Sequence, residues 1–175
     1  YRETYSDNLS KELPRIPTVK KPEDFWHFVR AGREFGNLHI NYETVEPYPV
    51  VVAQGDLRLD HIPDPEAFCR VTKMKFAGTG RAKDKTSIIY NSNITITDIP
   101  EEAYDYVVNG KAAIDWVMER QSVKTDAKSG IINDANDYAT ETVGDPRYPF
   151  DLLCRIITVN LETVKIVKAL PPMDI

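Results

Sequence analysis

The stretch that decides the fold is Cys69–Tyr90, CRVTKMKFAGTGRAKDKTSIIY. Apolar residues lead into a glycine-rich tip, Gly78-Thr79-Gly80, and return after it, which is typical of two antiparallel strands joined by a turn. The stretch carries six cations and one acid, a balance of +5 in a chain whose net charge is −5. The rest of the chain therefore sums to −10, and we expect the hairpin to form a compact basic ridge suited to a polyanion such as the DNA backbone.

We expect the DNA contacts to come from this basic ridge and from the amide-rich turn that follows it. Lys and Arg side chains bind phosphates, whereas Asn can pair with adenine in the major groove, which admits a two-stranded ribbon. The alternative for the cations is a solvated surface, and the alternative for the asparagines is turn formation alone. The candidate DNA-binding residues are Arg70, Lys73, Lys75, Arg81, Lys83, Lys85, Tyr90, Asn91 and Asn93.

The strands of the predicted sheet extend beyond the ridge. Ile88, Tyr90, Ile94 and Ile96 alternate with a second set of residues, Ile89, Thr95 and Thr97. Residues 91–93 (Asn-Ser-Asn) supply a turn, so two or three antiparallel strands are expected over 69–98. Four prolines, at positions 47, 49, 63 and 65, favour an irregular connector over 41–68, in which residues 50–52 (Val-Val-Val) fit a short strand.

Helical patterns surround this sheet. Pro22 at a first helical position and the apolar residues that follow it predict an amphipathic helix ending near 36–37. Residues 98–102 (DIPEE) fit a capped helix start that continues to 108, where Asn109-Gly110 interrupts it, and 111–121 fit a further helix. Residues 1–13 are compatible with the end of another helix, which the prolines at 14 and 17 stop.

The last predicted helix, over 147–170, is apolar on more than one side, so we expect it in the core. Trp116, Ile156 and Ile157 are predicted core residues, and Cys154 is expected to be a small core residue. The predicted fold class is therefore α+β: a small antiparallel sheet carrying a basic hairpin on a helical body, with a long C-terminal helix in the core.

Composition limits the classes of protein that the chain can represent. Its 175 residues are 42% hydrophobic and 28% charged, values ordinary for one soluble domain with a real core. No apolar run approaches the ~20 residues of a membrane span. Cys69 and Cys154 lack CxxC spacing, so neither a disulfide framework nor a zinc site is expected, and a reducing cytoplasm is the default location.

Motifs for phosphate binding or nucleophilic catalysis are incomplete. Residues 78–80 begin like a dinucleotide fingerprint, but Lys83 occupies the place of the third glycine, and no Gly-Lys-Ser/Thr follows. Neither cysteine belongs to a catalytic motif, and no Gly-x-Ser-x-Gly elbow occurs. We therefore expect no cofactor and no catalytic residue in this chain.

Metal sites are equally incomplete. His27, His39 and His61 lack ligand spacing, so structural or surface roles are favoured. The oxygen-rich residues 133–137 (NDAND) lack the glycine turn of a calcium loop, and a capped turn explains them better. Pro63-Asp64 with Asp126-Ala127-Lys128 faintly matches a metal-dependent nuclease pattern, but without the strands that such a site needs. No metal site is predicted.

A set of short blocks in a fixed order resembles a known family. The blocks are Lys73–Phe76, Lys83–Thr86, Ile88–Asn91, Ile99–Tyr104, Tyr106–Gly110, Trp116–Arg120, Lys124–Asp126, Ser129–Asp134 and Leu161–Val167. Their order and spacing resemble the C-terminal specificity domain of Type ISP restriction–modification enzymes. Leu9–Pro17 (LSKELPRIP) is similar to the junction that follows the methyltransferase domain in that family.

The resemblance implies a single polypeptide with nuclease, helicase-like ATPase, coupler, adenine methyltransferase and target-recognition parts, of which this chain is the last. Residues 1–20 would then be the junction from a methyltransferase domain, and 21–175 the DNA target-recognition domain, a reading that suits a chain beginning at Tyr1 rather than Met. The partners implied are double-stranded DNA and the other domains. Two alternatives are a non-catalytic docking module that positions the methyltransferase, and, less favoured, an independent hydrolase.

Overall fold

The computed structural model describes residues 18–53, 55, 61–79 and 82–172. Four antiparallel strands form one sheet: β1 (Val51–Val52), β2 (Lys75–Thr79), β3 (Ala82–Ile89) and β4 (Thr95–Thr97). Their order in the sheet is β1-β4-β3-β2. The predicted strands over 69–98 and the short strand within 50–52 are thus confirmed.

The β2–β3 hairpin carries the basic ridge, but two of the three predicted tip residues, Gly78 and Thr79, lie within β2. Gly78 pairs with Lys83 and Thr79 pairs with Ala82, so both Gly78 and Thr79 belong to β2 rather than to the turn. The pairing also shifts between Phe76 and Ala77, which leaves extra residues on β3. Gly78 has a φ of 90°, which glycine adopts without strain because it lacks a Cβ. The predicted tip residue Gly80 lies outside the described residues.

Five helices complete the described part of the chain. They are α1 (Pro22–Ile40), α2 (Pro65–Cys69), α3 (Ala113–Arg120), α4 (Ala135–Asp137), which continues as a π-helix (Tyr138–Val143), and α5 (Tyr148–Lys168). Short 3₁₀ helices cover Tyr42–Thr44 and Glu101–Tyr104. Two small hairpins, β5–β6 (Val107–Val108, Lys111–Ala112) and β7–β8 (Lys124–Thr125, Ile132–Asn133), flank α3. None of these helices is long and apolar enough to cross a membrane.

The core forms where α5 meets the inner face of the sheet and α3. Ile88 and Ile96 from the sheet and Leu153 and Ile157 from α5 are fully buried in one cluster. The prediction of a long C-terminal helix in the core, and the α+β fold class, are confirmed. Ile157 and Cys154 are core residues as predicted, and Ile156 is partly buried and packs against the cluster. The prediction for Trp116 is wrong, because this partly buried side chain lies outside the cluster and contacts Lys111 and Arg120.

The predicted helix over 98–108 is wrong. Asp98 has a φ of 61° and does not cap a helix, and Pro100 precedes a single 3₁₀ turn. Val107–Val108 then pairs with Lys111–Ala112 around Asn109-Gly110, whose positive φ angles (50° and 80°) are those of a type I′ hairpin turn. The Asn-Gly pair therefore reverses a strand and does not interrupt a helix.

Three other boundaries differ from the prediction. The helix predicted over 111–121 begins only at Ala113, because Lys111–Ala112 forms β6. Helix α1 continues through Gly36 and Asn37 to Ile40, because neither residue adopts a terminating conformation there. The proline-rich connector contains α2, which begins where the Asp64 carboxylate accepts a hydrogen bond from the Ala67 N–H and Pro65 occupies the first turn. Residues 1–13, predicted as the end of a helix, lie outside the described residues.

Candidate nucleic-acid interface

The basic ridge presents exposed lysines from β2, β3 and the segment before them. Lys73, Lys75, Lys83 and Lys85 are all exposed. Among the described residues, the first three form no ion pair, so their ammonium groups are available to an external anion. Arg81, also predicted to bind DNA, lies outside the described residues.

Two open clefts meet at Lys73 and Lys75. The first is lined by Arg70, Thr72, Asn91 and Ser92 together with these two lysines. The second adds Lys83 from β3 and Lys124 from β7, opposite Asp115 and Glu119 of α3. The fold therefore gathers most of the predicted cations along one continuous surface. It also adds three polar residues that were not among the predicted DNA contacts, namely Thr72, Ser92 and Lys124.

Arg70 is the one described cation of the ridge that is held by an acid. Its guanidinium forms an ion pair with Asp134, whose side chain is only 4% exposed, while the Arg70 side chain remains 42% exposed. Burial raises the pKa of Asp134, but hydrogen bonds from Asn136 and the charge of Arg70 outweigh this effect and hold the pKa below its usual range. Arg70 thus links the ridge to the start of α4, and part of its side chain remains exposed to solvent.

Lys85 is oriented by an aromatic side chain. Its Nζ lies 5.1 Å from the centre of the Tyr104 ring, and the Tyr104 hydroxyl donates a 2.6 Å hydrogen bond to the Lys85 carbonyl. The intervening Asp84 accepts hydrogen bonds from the backbone N–H and the hydroxyl of Thr86, and side-chain bonds from Thr86 and Ser87 lower its pKa. The ionised carboxylate is thereby turned toward its own strand.

Tyr90 was predicted to contact DNA, and the structure places it in the core instead. Its side chain is fully buried, its hydroxyl donates a 2.9 Å hydrogen bond to the Cys69 carbonyl, and its ring packs edge-on against Phe150. Burial raises the pKa of the phenol well above its usual value. Tyr90 is therefore a packing residue and cannot be a DNA contact in this conformation.

Asn91 uses all of its side-chain hydrogen-bonding capacity within the protein. Its amide nitrogen donates to the carbonyls of Phe68 and Arg70, and its amide oxygen accepts from the backbone N–H groups of Asn93 and Ile94. Asn93 makes one side-chain hydrogen bond, a 3.2 Å contact from Nδ2 to Phe68, so its amide oxygen is not engaged by a described residue. The turn-forming alternative thus accounts for Asn91 fully and for Asn93 in part.

The segment 133–137 is the capped turn that the sequence favoured. The Asp134 carboxylate accepts the Asn136 N–H at the start of α4, and the Asn136 side chain both donates to and accepts from the backbone of Val71. Val123 N–H also bonds to the Thr72 carbonyl at 2.9 Å. These long-range contacts bring Lys124 to the ridge, which local sequence patterns could not predict.

The remaining chemically active side chains have structural roles. His39 bonds through Nδ1 to the Phe35 carbonyl and through Nε2 to the Tyr106 hydroxyl. Cys69 and Cys154 are buried, and burial raises both thiol pKa values, that of Cys154 to about 12. Within the described ranges, no group of three or more His, Cys, Asp or Glu residues could hold a metal ion.

Comparisons with known proteins agree with the sequence resemblance. The family model for the Type ISP C-terminal specificity domain matches residues 1–152. The fold is similar to that of the ATP-dependent Type ISP restriction-modification enzyme LlaBIII bound to DNA, with a TM-score of 0.78 and 38% identity, covering 99% of this chain and 10% of LlaBIII. No curated protein sequence matches the chain.

Two further solved structures have folds similar to that of this chain. A nuclease-deletion mutant of the Type ISP enzyme LlaGI, in complex with a DNA substrate mimic, gives a TM-score of 0.77 at 40% identity and covers 100% of this chain and 15% of LlaGI. A cryoEM structure of a DrdV–DNA complex gives 0.71 at 28% identity, covering 99% of this chain and 17% of the DrdV chain. This chain therefore spans less than a fifth of each relative, and it belongs to the family of Type ISP C-terminal specificity domains.

Proposed function

We propose that this chain recognises a specific double-stranded DNA site as the target-recognition part of a restriction–modification enzyme. The observation that carries the proposal is the row of lysines without a described ion-pair partner, Lys73, Lys75 and Lys83, on a member of a specificity-domain family. Three solved relatives are described as complexes with DNA or a DNA mimic, which supports a DNA partner for this surface. We further propose that residues 21–175 form the recognition domain, that 1–20 lead in from a methyltransferase domain, and that the protein acts in the cytoplasm.

The contacts divide by the chemistry of the side chains. Lys73, Lys75 and Lys83 would bind phosphates, because exposed ammonium groups act as point charges and release counterions from DNA. Lys85, Arg70 and Arg81 would add to this set. The amide oxygen of Asn93 is not engaged by a described residue, so Asn93 is the better candidate for reading a base, whereas Asn91 would hold the turn in place.

The test is a charge-matched pair of triple variants in the natural full-length protein. Lys73→Ala/Lys75→Ala/Lys83→Ala removes three charges from the ridge, and Lys21→Ala/Lys165→Ala/Lys168→Ala removes three exposed charges at α1 and α5. Affinity is measured for a duplex selected from a random pool and for a scrambled duplex, at several salt concentrations.

The ridge variant should lose affinity for both duplexes, and its salt slope should fall by about 0.9 for each phosphate that its side chains no longer neutralise. The control variant should retain the salt slope of the parent, because the slope depends on the cations that contact phosphates and not on the net charge of the protein. Equal slopes for the ridge variant and the parent would contradict the proposal, and the lysines would then be only a solvated surface.

A second candidate function, docking against another domain, is favoured by the exposed aromatic residues of α1. Phe25 and Trp26 are 51% and 52% exposed, contact each other edge-on, and lie on a helix without a fully buried residue. Such residues are enriched at protein interfaces. Replacing both with Ser should reduce the thermal stability of the full-length protein, yet leave the salt slope of DNA binding unchanged, if α1 docks in this way.

We also propose that the chain has no catalytic activity of its own. The raised pKa values of Cys69 and Cys154 support this, because the protonated thiol is a poor nucleophile. The purified chain should show no ATPase, nuclease or methyltransferase turnover above background. Turnover that disappears on substitution of a residue within the chain would contradict the proposal.

A further inference from the structure

The β7–β8 hairpin is the feature of the structure that the proposed function leaves unused. Its loop and second strand expose two adjacent isoleucines, Ile131 at 68% and Ile132 at 63%. The Ile131 carbonyl accepts the Asp126 N–H, so the ladder continues through this position. Because successive side chains of a strand point to opposite faces, the two isoleucines make both faces of the tip apolar.

The base of this hairpin is attached to the basic segment at both ends. On the incoming side, Val123 N–H bonds to the Thr72 carbonyl. On the outgoing side, Asp134 pairs with Arg70 and Asn136 bonds to the backbone of Val71. The same three consecutive residues, 70–72, therefore fix both arms of the hairpin beside the ridge.

The tip is held in one conformation. The Asp126 carboxylate accepts hydrogen bonds from the N–H groups of Lys128 and Ser129 and from the Ser129 hydroxyl, at 2.7–3.0 Å. Gly130 has a φ of 70°, and its N–H bonds to the Asp126 carbonyl. These hydrogen bonds order the loop with both isoleucines exposed. Because the loop is ordered before binding, it loses less entropy when a partner covers the isoleucines.

Charge indicates which partner the tip meets. Lys124 at the base lines the same cleft as Lys73, Lys75 and Lys83, where its Nζ lies 3.6 Å from a Glu119 carboxylate oxygen, and Lys128 is in the loop itself. The one acid between them, Asp126, is occupied by its own turn, and hydrogen bonds from Ser129 and Lys128 lower its pKa. An apolar tip on a cationic base complements the thymine methyl groups and the anionic backbone of the major groove, whose width admits a two-stranded ribbon.

We propose that the tip of the β7–β8 hairpin inserts into a groove of the recognised duplex, where Ile131 and Ile132 make apolar contacts with base edges. The inference rests on the proposed function and adds a specificity-determining element to it. Two apolar faces suit a groove with two walls, whereas docking on a flat surface of another domain would cover only one of them. The contacts contribute to discrimination between base pairs and not to the phosphate-dependent part of binding.

The test compares Ile131→Thr/Ile132→Thr with the control Val51→Thr/Val107→Thr in the natural full-length protein. Threonine retains the branched Cβ, so the strands are preserved, and both control valines are exposed strand residues, at 50% and 57%. Dissociation constants are measured on the selected and the scrambled duplex across several salt concentrations, beside the ridge variant Lys73→Ala/Lys75→Ala/Lys83→Ala. The thermal midpoint of each protein is measured without DNA.

The isoleucine variant should bind the selected duplex about tenfold or more weakly, with little change on the scrambled duplex and an unchanged salt slope, because it reduces apolar burial and leaves the phosphate contacts in place. Parent-like affinity for the selected duplex would overturn the inference, and so would equal losses on both duplexes. A raised or lowered thermal midpoint with parent-like discrimination would also overturn it and indicate docking on another domain. If the ridge variant behaves as the parent, the proposed function itself fails, so the two failures are distinguishable.

Discussion

The lysines of the ridge and the Asn91–Asn93 turn line one surface, yet their side chains are engaged very differently. Lys73, Lys75 and Lys83 are exposed and form no ion pair with a described acid, whereas Asn91 makes four hydrogen bonds to backbone groups. Each of these lysines can bind a phosphate without first breaking an ion pair with a described acid. Asn91 would have to give up bonds that hold the turn before it could pair with a base.

This difference separates two kinds of inference from sequence. A phosphate contact needs only charge and exposure, which residue type and a hairpin pattern predict well. A base contact also needs a donor or an acceptor that the fold has left free, and only the tertiary contacts reveal this. Substitutions can therefore separate the two groups: those in the Asn91–Asn93 turn should mainly change stability, and those of the ridge lysines should mainly change DNA binding.

The largest effect on stability is expected for Tyr90→Ala. Tyr90 is fully buried against Phe150, so truncation should lower the free energy of unfolding by about 3–5 kcal/mol, by analogy with other buried aromatic residues. Tyr90→Phe retains the ring and loses the bond to the Cys69 carbonyl, and should cost about 1 kcal/mol. Urea unfolding of the two variants measures both values. A fully stable Tyr90→Ala protein with weakened DNA binding would return Tyr90 to the candidate contacts.

Asn91→Ala should come next, with a loss of about 2–4 kcal/mol, because four side-chain hydrogen bonds are removed at once. Asn93→Ala is the matched control, since it removes one long hydrogen bond and should cost no more than about 1 kcal/mol. In DNA binding the order should reverse: Asn93→Ala should relax discrimination at a particular base pair by ~1–3 kcal/mol if it reads an adenine. Unchanged unfolding of Asn91→Ala would show that its bonds do not stabilise the turn.

The parts of the fold that could be predicted from sequence are those with a long or regular period. The hydrophobic pattern of α5 extends over nearly six turns, and the alternation around Ile88 and Ile94 defines the central strands. The helix prediction for 98–108 failed because a few acids and a proline are as compatible with a 3₁₀ turn as with the start of an α-helix. Asn109-Gly110 held the decisive information, since this dipeptide favours a type I′ turn between short strands.

The candidate site was predictable in its charges and not in its hydrogen bonds. Tyr90 shares the period-two pattern of Ile88 and Ile94, so the sequence contained a signal for its burial that its functional interpretation overlooked. Lys124 had no such signal. It lines the same cleft as Lys73, and the backbone of the preceding Val123 bonds to Thr72, a pairing between residues about fifty positions apart in the sequence.

Lys75→Ala should change binding and leave folding unaffected. Lys75 is exposed and lines both clefts without a described ion-pair partner, so its removal should change the free energy of unfolding by less than about 0.5 kcal/mol. In the full-length protein, the affinity should fall equally for selected and scrambled duplexes, and the salt slope should decrease by about 0.9. A loss of affinity confined to the selected duplex would instead assign Lys75 to base readout.

A small effect on stability is expected for Asp134→Asn, which tests whether its ion pair with Arg70 stabilises the ridge. Asn caps a helix about as well as Asp, so this variant removes the charge and retains the cap, and it should destabilise the chain at neutral pH by about 1 kcal/mol or less.

The pH dependence of this effect has a definite sign. The pKa of Asp134 is lower in the folded chain than in the unfolded chain, so its contribution is fully present above the unfolded pKa of about 4 and is lost as the pH falls through the folded value. The stability difference between parent and variant should therefore be constant above about pH 5 and should shrink below about pH 4. Urea unfolding across this range measures it. A stability difference that grows on acidification would mean that burial raises the pKa of Asp134 more than Arg70 and Asn136 lower it. The ionised carboxylate would then destabilise the fold.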